Sequence, residues 1–249
     1  MNVEQDTRRP LDKLFPRAQV PEAGSRVAVV DDDPEEAYAT GMVLRLAGYE
    51  PVEISPQREA AERMLQRVTD NCVAAVFDHR LNGRINVPFD GAELASLASQ
   101  RGFPAVLSST YISRDQATTI RLRRAEIPCL LDKDEQSAEA IQSAFEAIVA
   151  EFHGDVPRTR LALPTVIEVL GVHANEEMPT AEVLVPAWRP SVAIQLPAGL
   201  ITEGTGLALH ELRNRWVEAE VNCHAERERD LFFRNFSLSP ELPEDWMRP

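Results

Sequence analysis

The chain has 249 residues, and its 44% apolar content is enough to build a sizeable core in one or two domains. The formal net charge of -14, without a clustered basic segment, argues against a nucleic-acid footprint, so direct DNA binding is not expected. The sequence also has no apolar run near the length of a membrane span and no signal peptide pattern at its polar N-terminus. We therefore expect a cytoplasmic protein without membrane contact.

Residues 1–24 contain three prolines and no sustained periodicity, which predicts a flexible N-terminal arm. From residue 25 to residue 152, short apolar runs alternate with segments of helical periodicity. The predicted strands are 27–30, 51–54, 72–77, 104–109 and 129–131, and the predicted helices are 34–47, 57–69, 91–101, 114–125 and 135–152. Five strands alternating with five helices predict an α/β domain with a doubly wound, five-stranded parallel sheet, as in flavodoxin-like folds.

The segment 153–159 is polar and is expected to be a linker. Beyond it, residues 160–249 contain apolar residues that alternate with polar ones, which is typical of antiparallel strands with one wet face. The predicted strands there are 164–172, 181–188, 191–197, 216–223 and 231–238, with a short helix at 207–214. This pattern predicts a small β-rich domain, with a barrel as one arrangement, that serves as an interaction or regulatory module.

Polar side chains stand at the ends of four of the predicted parallel strands. Asp31 and Asp32 follow the first strand in VVDDD, Asp78 follows the third in VFDHRL, Ser109 ends the fourth in PAVLSST, and Lys133 follows the fifth in LLDKDE. Because the carboxyl ends of parallel strands meet at one edge of the sheet, these side chains are expected to converge. Carboxylates together with an ammonium group suit a hard divalent cation and a phosphoryl group, so the sequence predicts a magnesium site.

Residues 26–152 resemble the receiver domain of two-component response regulators, and the four motifs carry this resemblance in the family's order and approximate spacing. Members of that family accept a phosphoryl group on an aspartate from a sensor histidine kinase or a phosphotransfer protein, with one bound magnesium ion. The resemblance therefore implies a phosphorylation-dependent signalling protein with Mg2+ as its cofactor and such a protein as its partner. It implies no enzyme activity apart from self-phosphorylation and autodephosphorylation.

The resemblance also assigns a role to each residue of the site. Asp78 is implied as the phosphoacceptor. Ser108 and Thr110 compete by register with the residue between them for the role of the switch hydroxyl. The implied magnesium ligands are Asp31, Asp32, Asp78 and the backbone carbonyl of Arg80, and the implied phosphoryl contacts are Ser109 and Lys133.

Four features depart from the family's pattern. Leu130 stands where the family has an aromatic switch residue, so the rotation of a ring cannot report phosphorylation here. Asp134 stands where the family often has proline. The 82–90 loop is longer than the usual turn and is expected to cover the site or a partner surface. Arg80 stands two residues after the phosphoacceptor, where its side chain is expected to affect the access of attacking water.

Two neighbours of the predicted site have plainer interpretations. Asp33 stands before Pro34, which predicts an N-cap of the following helix rather than a metal ligand. His79 is next to Asp78, and because adjacent strand residues point to opposite faces, His79 is expected to be exposed to solvent.

The helix at 114–125 carries three arginines amid acidic neighbours, which predicts a solvated basic face. The alternative is a contact with an acidic surface, either of the C-terminal domain or of a second receiver in a homodimer. The three residues are Arg121, Arg123 and Arg124.

Two other functions remain open from the sequence. A haloacid-dehalogenase-like phosphatase also uses an aspartate at a strand end, magnesium and a lysine, with its nucleophile after the first strand in a DxDx[TV] pattern. Here Asp31 and Asp33 are followed by Pro34 and Glu35, so the threonine position of that pattern fails. The third function is a receiver-shaped scaffold that is never phosphorylated, which the departures at Leu130, at Asp134 and in the loop favour.

Overall fold

The structure is a computed structural model, and it describes residues 18–109, 114–174 and 178–239, with only the backbone for 114–118. Most of the predicted N-terminal arm and the alternative switch residue Thr110 lie outside the described residues. Contacts divide the chain into two compact units. Of the described residues, the first unit contains those up to Ser108 together with Leu131–Asp155, and the second contains those between Ser109 and Leu130 together with those from Val156 onward.

The first half of the chain folds into a parallel sheet with alternating helices. In chain order its elements are β1 Arg26–Val30, α1 Pro34–Leu46, β2 Glu50–Glu53, α2 Ala61–Thr69, β3 Ala74–Asp78, α3 Gly91–Gln100, β4 Ala105–Ser109, α4 Arg114–Arg123, β5 Leu130–Asp132 and α5 Ala138–Phe152. The strand order is β2-β1-β3-β4-β5, and β1 pairs in parallel with both β2 and β3. This is the flavodoxin-like order, so the predicted doubly wound fold is confirmed.

The central strands are buried because helices cover both faces of a parallel sheet. All five residues of β3 and all five of β4 are buried, as are the last four of β1. These strands therefore read as continuous apolar runs in the sequence rather than as alternating ones. In β3 and β4 the polar residues are confined to the carboxyl ends, where β3 ends on Asp78 and β4 on Ser109.

The C-terminal part forms an antiparallel sheet. Its elements are β6 Leu163–His173, β7 Thr180–Val185, β8 Arg189–Pro197, α6 Ala198–Thr205, β9 Arg215–Val221 and β10 Phe233–Leu238. The strand order is β10-β9-β6-β7-β8, so the predicted β-rich domain is confirmed, and its sheet is open at β10 and β8 rather than closed into a barrel over the described residues. Val217, Ala219 and Val221 of β9 are buried, as the alternation predicts.

The predicted helix at 207–214 is wrong. The helix of this region is α6, which begins directly after β8 and ends at Thr205. Gly206 caps it, and its φ of 71° is the left-handed conformation that favours glycine at a helix end. Between α6 and β9 the chain forms only one 3-10 turn, Leu209–Glu211. Within the described residues, no helix is long and apolar enough to cross a membrane.

Candidate functional site

The loop after β1 contains three carboxylates that differ in burial and in hydrogen bonding. Asp33 is the N-cap of α1: its side chain accepts a hydrogen bond of 2.9 Å from the backbone N–H of Glu35, and Pro34 occupies the first turn. The N-cap prediction is therefore confirmed. Asp31 is buried and accepts a bond of 2.9 Å from the backbone N–H of Asp33, which fixes the turn of the loop. Asp32 lies between them and is half-buried.

Lys133 links the ends of β1 and β3. Its Nζ lies 2.8 Å from Oδ2 of Asp31 and 2.9 Å from Oδ1 of Asp78, and 3.5 Å from Oε2 of Glu36 on α1. The side chain of Lys133 is only 9% exposed, so the ammonium group is held between the carboxylates and away from bulk water. The sequence brings these groups together across 102 residues because their strands end at one edge of the sheet.

Burial and charge set the protonation of this cluster. Burial, with the nearby charge of Asp31, raises the pKa of Asp78 to about 6, even though Lys133 favours the ionised form. Burial also raises the pKa of Asp31. For Lys133, burial alone would lower the pKa, but the carboxylates of Asp78 and Asp31 outweigh it and raise the pKa, so the lysine stays charged. At neutral pH the cluster therefore carries net negative charge in a largely buried position.

The donor set fits a hard cation. Asp31, Asp32 and Asp78 each offer one carboxylate oxygen, and these oxygens lie within 4.8 Å of one another. All three donors are oxygens, which is the set that Mg2+ prefers. A cation would also offset the repulsion among three neighbouring carboxylates that a single ammonium group only partly neutralises. These residues could hold magnesium.

The 82–90 loop covers part of this edge, as one of its two predicted roles requires. The backbone N–H of Arg84 donates to Oδ2 of Asp32 at 2.8 Å, and the guanidinium of Arg84 lies 3.1 Å from Oδ2 of Asp33. A Cβ on Gly83 would lie 2.7 Å from Oδ2 of Asp32, so a larger residue at this position would push the carboxylate of Asp32 aside. The loop thus orients the carboxylate of Asp32. The hydrogen bond from Arg84 that does so was not predicted from the sequence.

The backbone around Asp78 is equally close-packed. A Cβ on Gly91 would lie 1.9 Å from the carbonyl oxygen of Asp78, so only glycine allows α3 to begin there.

The predicted exposure of His79 is wrong: this residue is 4% exposed, and burial lowers its pKa. Adjacent residues do point to opposite faces, but in a doubly wound sheet helices cover both faces.

The remaining predicted site residues occupy this edge with less direct contacts. The backbone N–H of Arg80 donates to the carboxylate of Asp78, while the role of its carbonyl stays a prediction. Ser109 is buried at the end of β4. Its rival Ser108 pairs in register with Asp78, and its hydroxyl accepts a bond of 2.5 Å from Nε2 of Gln136. Gln136 follows the turn after β5, and nothing in its residue type indicated this contact.

Solved structures similar to this chain include receiver domains. The receiver domain of a modulated diguanylate cyclase from Desulfovibrio desulfuricans is 19% identical, with a TM-score of 0.41, and the match covers 53% of this chain and 98% of that one. A CheY-like response regulator receiver domain protein from Methanospirillum hungatei is 20% identical, with a TM-score of 0.39 and coverage of 53% and 98%. No protein-family model and no curated protein matches the sequence.

These similarities cover about half of the chain, and they concern its fold. The doubly wound fold of this part of the chain is defined by the order of its parallel strands. The predicted resemblance to receiver domains is confirmed to the extent that such domains match about half of the chain.

Proposed function

We propose that this protein is a phosphorylation-dependent signalling protein in which Asp78 accepts a phosphoryl group with Mg2+ and so controls the C-terminal domain. The observation that carries the proposal is the position of the Lys133 ammonium group, 2.8 Å from Asp31 and 2.9 Å from Asp78, beside a third carboxylate. An ammonium group facing a cluster of carboxylates is the arrangement that phosphoryl transfer to a carboxylate requires.

The chain's own residues supply the parts of this chemistry. The carboxylate of Asp78 attacks phosphorus and forms an acyl phosphate, while the bond from phosphorus to the imidazole nitrogen of the donor's phosphohistidine breaks and the imidazole leaves. The pKa of Asp78, about 6, leaves this carboxylate mostly ionised at neutral pH. Lys133 neutralises charge on the phosphoryl oxygens, since it is held charged against two carboxylates. Ser109 donates to a phosphoryl oxygen from the end of the neighbouring strand. These roles agree with those that the sequence resemblance implies.

Asp31, Asp32 and Asp78, with the backbone carbonyl of Arg80, would hold the magnesium ion. When bound, Mg2+ offsets negative charge on the phosphoryl oxygens and on the carboxylates. The loop contact of Arg84 with Oδ2 of Asp32 leaves the other oxygen of that carboxylate for the metal.

The donor of the phosphoryl group would be a histidine kinase or a phosphotransfer protein, and the C-terminal domain would act through a protein partner. The phosphatase hypothesis is less well supported, because Asp33, which would be its second catalytic acid, caps α1 and lies against Arg84. The scaffold hypothesis does not explain why Asp78 and Lys133 are kept buried together at a cost in desolvation.

The test is the binding of beryllofluoride with Mg2+, a mimic of the phosphoryl group, to the full chain. Binding to the natural protein and its loss in the Asp78→Asn variant would support the proposal. Equal binding in that variant would contradict it. The matched control is Asp90→Asn: Asp90 caps α3 through the N–H of Glu93, and asparagine caps a helix as well as aspartate does.

A further inference from the structure

The segment from Ser109 to Leu130 runs between two strands of the parallel sheet, yet its contacts place it with the C-terminal unit. It contains α4 and the 3-10 turn Arg124–Glu126 that follows. We refer to residues 114–126 as the α4 segment. The stretch is continuous at one end with β4, which ends at Ser109 and neighbours the strand of Asp78 in the strand order, and at the other end with β5, which begins at Leu130 and neighbours β4.

Arg121 is the first of two buried arginines that hold the α4 segment to the C-terminal sheet. Its side chain is 3% exposed. The guanidinium donates to the backbone carbonyl of Gln195 in β8 at 2.6 Å and to that of Glu228 at 3.1 Å, and it lies 3.4 Å from Oε1 of Glu228. A buried guanidinium needs several acceptors, and here the C-terminal sheet and its 228–230 turn supply them.

Arg124 is the second of these arginines, and its side chain is 4% exposed. Its Nε donates to the carbonyl of Arg229 at 3.4 Å, and its Nη2 lies 3.1 Å from Oδ1 of Asp230. A third nitrogen, Nη1, donates to the carbonyl of Ile127 in its own segment. In the same unit, Nη2 of Arg160 donates to the carbonyl of Ala125 at 3.1 Å. Arginines of the α4 segment and of the C-terminal part of the chain therefore both donate hydrogen bonds across this contact.

The predicted solvated face is therefore wrong for Arg121 and Arg124, and the alternative of an acidic surface in the C-terminal domain is correct for them. The carboxylates of Glu228 and Asp230 stand in a turn between β9 and β10, so their pairing with the arginines is invisible in the sequence. Removing one partner of a buried charge pair leaves the other charge unpaired, which makes these contacts costly to break.

We propose that Arg121 and Arg124 make the α4 segment an integral part of the C-terminal domain, so that a rearrangement of this segment caused by phosphorylation is passed directly to the 228–230 turn and β8. The partner of this surface of α4 is the chain's own C-terminal domain and not a second copy. The signalling half of this inference rests on the proposed function; the structural half does not.

The structural half is tested by amide hydrogen exchange of the full chain. In Arg124→Gln, we expect exchange at least about tenfold faster in three places together: the α4 segment, β8 and residues 226–232. Rates in β1 and β3 should not change. Asp230→Asn should accelerate the same three places from the partner side. Arg124→Lys should not restore the natural rates, because an ammonium group cannot reproduce the three-nitrogen contact of a guanidinium.

Arg123→Gln is the matched control, because Arg123 is on the same helix and is half-exposed rather than buried. It should leave the exchange rates within about twofold of the natural ones. Faster exchange confined to the α4 segment, or equal acceleration in β1 and β3, would overturn the inference, since neither would mark a shared unit of segment and C-terminal sheet.

The signalling half is tested through the affinity for beryllofluoride with Mg2+, measured by calorimetry. The arginine contacts hold the segment in the arrangement of the unmodified protein, so a ligand that favours another arrangement must bind against them. Breaking them in Arg124→Gln should therefore tighten binding by about fivefold or more, with no change in Arg123→Gln. Unchanged or weaker binding in Arg124→Gln would overturn this half.

The two failures are distinguishable. If the natural protein did not bind beryllofluoride at all, the proposed function and the signalling half would fall together, and the exchange rates would still decide whether the α4 segment belongs to the C-terminal domain. If binding occurred without any change of exchange in residues 226–232, the proposed function would stand and this route of transmission would be wrong.

Discussion

Replacing Asp78 by asparagine should stabilise the metal-free protein at neutral pH. Asp78 is 7% exposed, and its pKa is raised from 3.8 to about 6. Because the folded state binds this proton more tightly than the unfolded state, stability is lost as the pH rises from about 4 through about 6. A pKa difference of this size is worth about 3 kcal/mol at most, at about 1.4 kcal/mol for each tenfold change in proton affinity.

The asparagine side chain carries no charge, so the variant avoids this loss. We expect a net gain of about 1–2 kcal/mol at about pH 7.5, since Lys133 loses one partner but keeps Asp31, and almost no gain at about pH 4.5. The assay is urea unfolding followed by far-ultraviolet circular dichroism, in the presence of a chelator. A variant that is less stable at the higher pH, or a stability difference that does not depend on pH, would refute the reasoning.

Other changes test the parts of the site separately. Asp32→Asn should weaken Mg2+ binding by about tenfold in a calorimetric titration. Asp33→Asn should not weaken it, because Asp33 caps α1 and asparagine still caps a helix. Equal losses of affinity would contradict the assignment of Asp32 as a metal ligand and Asp33 as a cap. Lys133→Met should slow phosphorylation by a small acyl phosphate by about a hundredfold or more while Mg2+ still binds; an unchanged rate would remove the lysine from the chemistry. Gly83→Ala should alter Mg2+ affinity through Asp32, because its Cβ would lie 2.7 Å from Oδ2, whereas Gly171→Ala, with open space around its Cβ, should not.

The parallel sheet and its acidic edge could be predicted because apolar runs alternate regularly with helical segments and end on charged residues. Asp31 and Asp78 end apolar runs, and a lysine follows the last parallel strand. Because parallel strands end at one edge of the sheet, these residues were expected to lie together. Asp33 was assigned correctly because an aspartate before proline has a local capping role.

The features that were missed depend on contacts between distant backbone groups. The N–H of Arg84 on Asp32 and the carbonyls of Gln195 and Glu228 around Arg121 involve groups that every residue carries. Residue types therefore carry no signal for them. The burial of His79 was missed for another reason: alternation assigns a face, but only the layers of the whole fold decide whether that face is covered.

The central claim is that Asp78 accepts a phosphoryl group, and mapping the modified residue tests it most directly. The full chain would be incubated with acetyl phosphate and Mg2+, and the acid-labile label located by mass spectrometry after trapping. We expect the label on Asp78, with labelling abolished in Asp78→Asn and by a chelator. A label on Asp31, or undiminished labelling of the Asp78→Asn variant, would contradict the account.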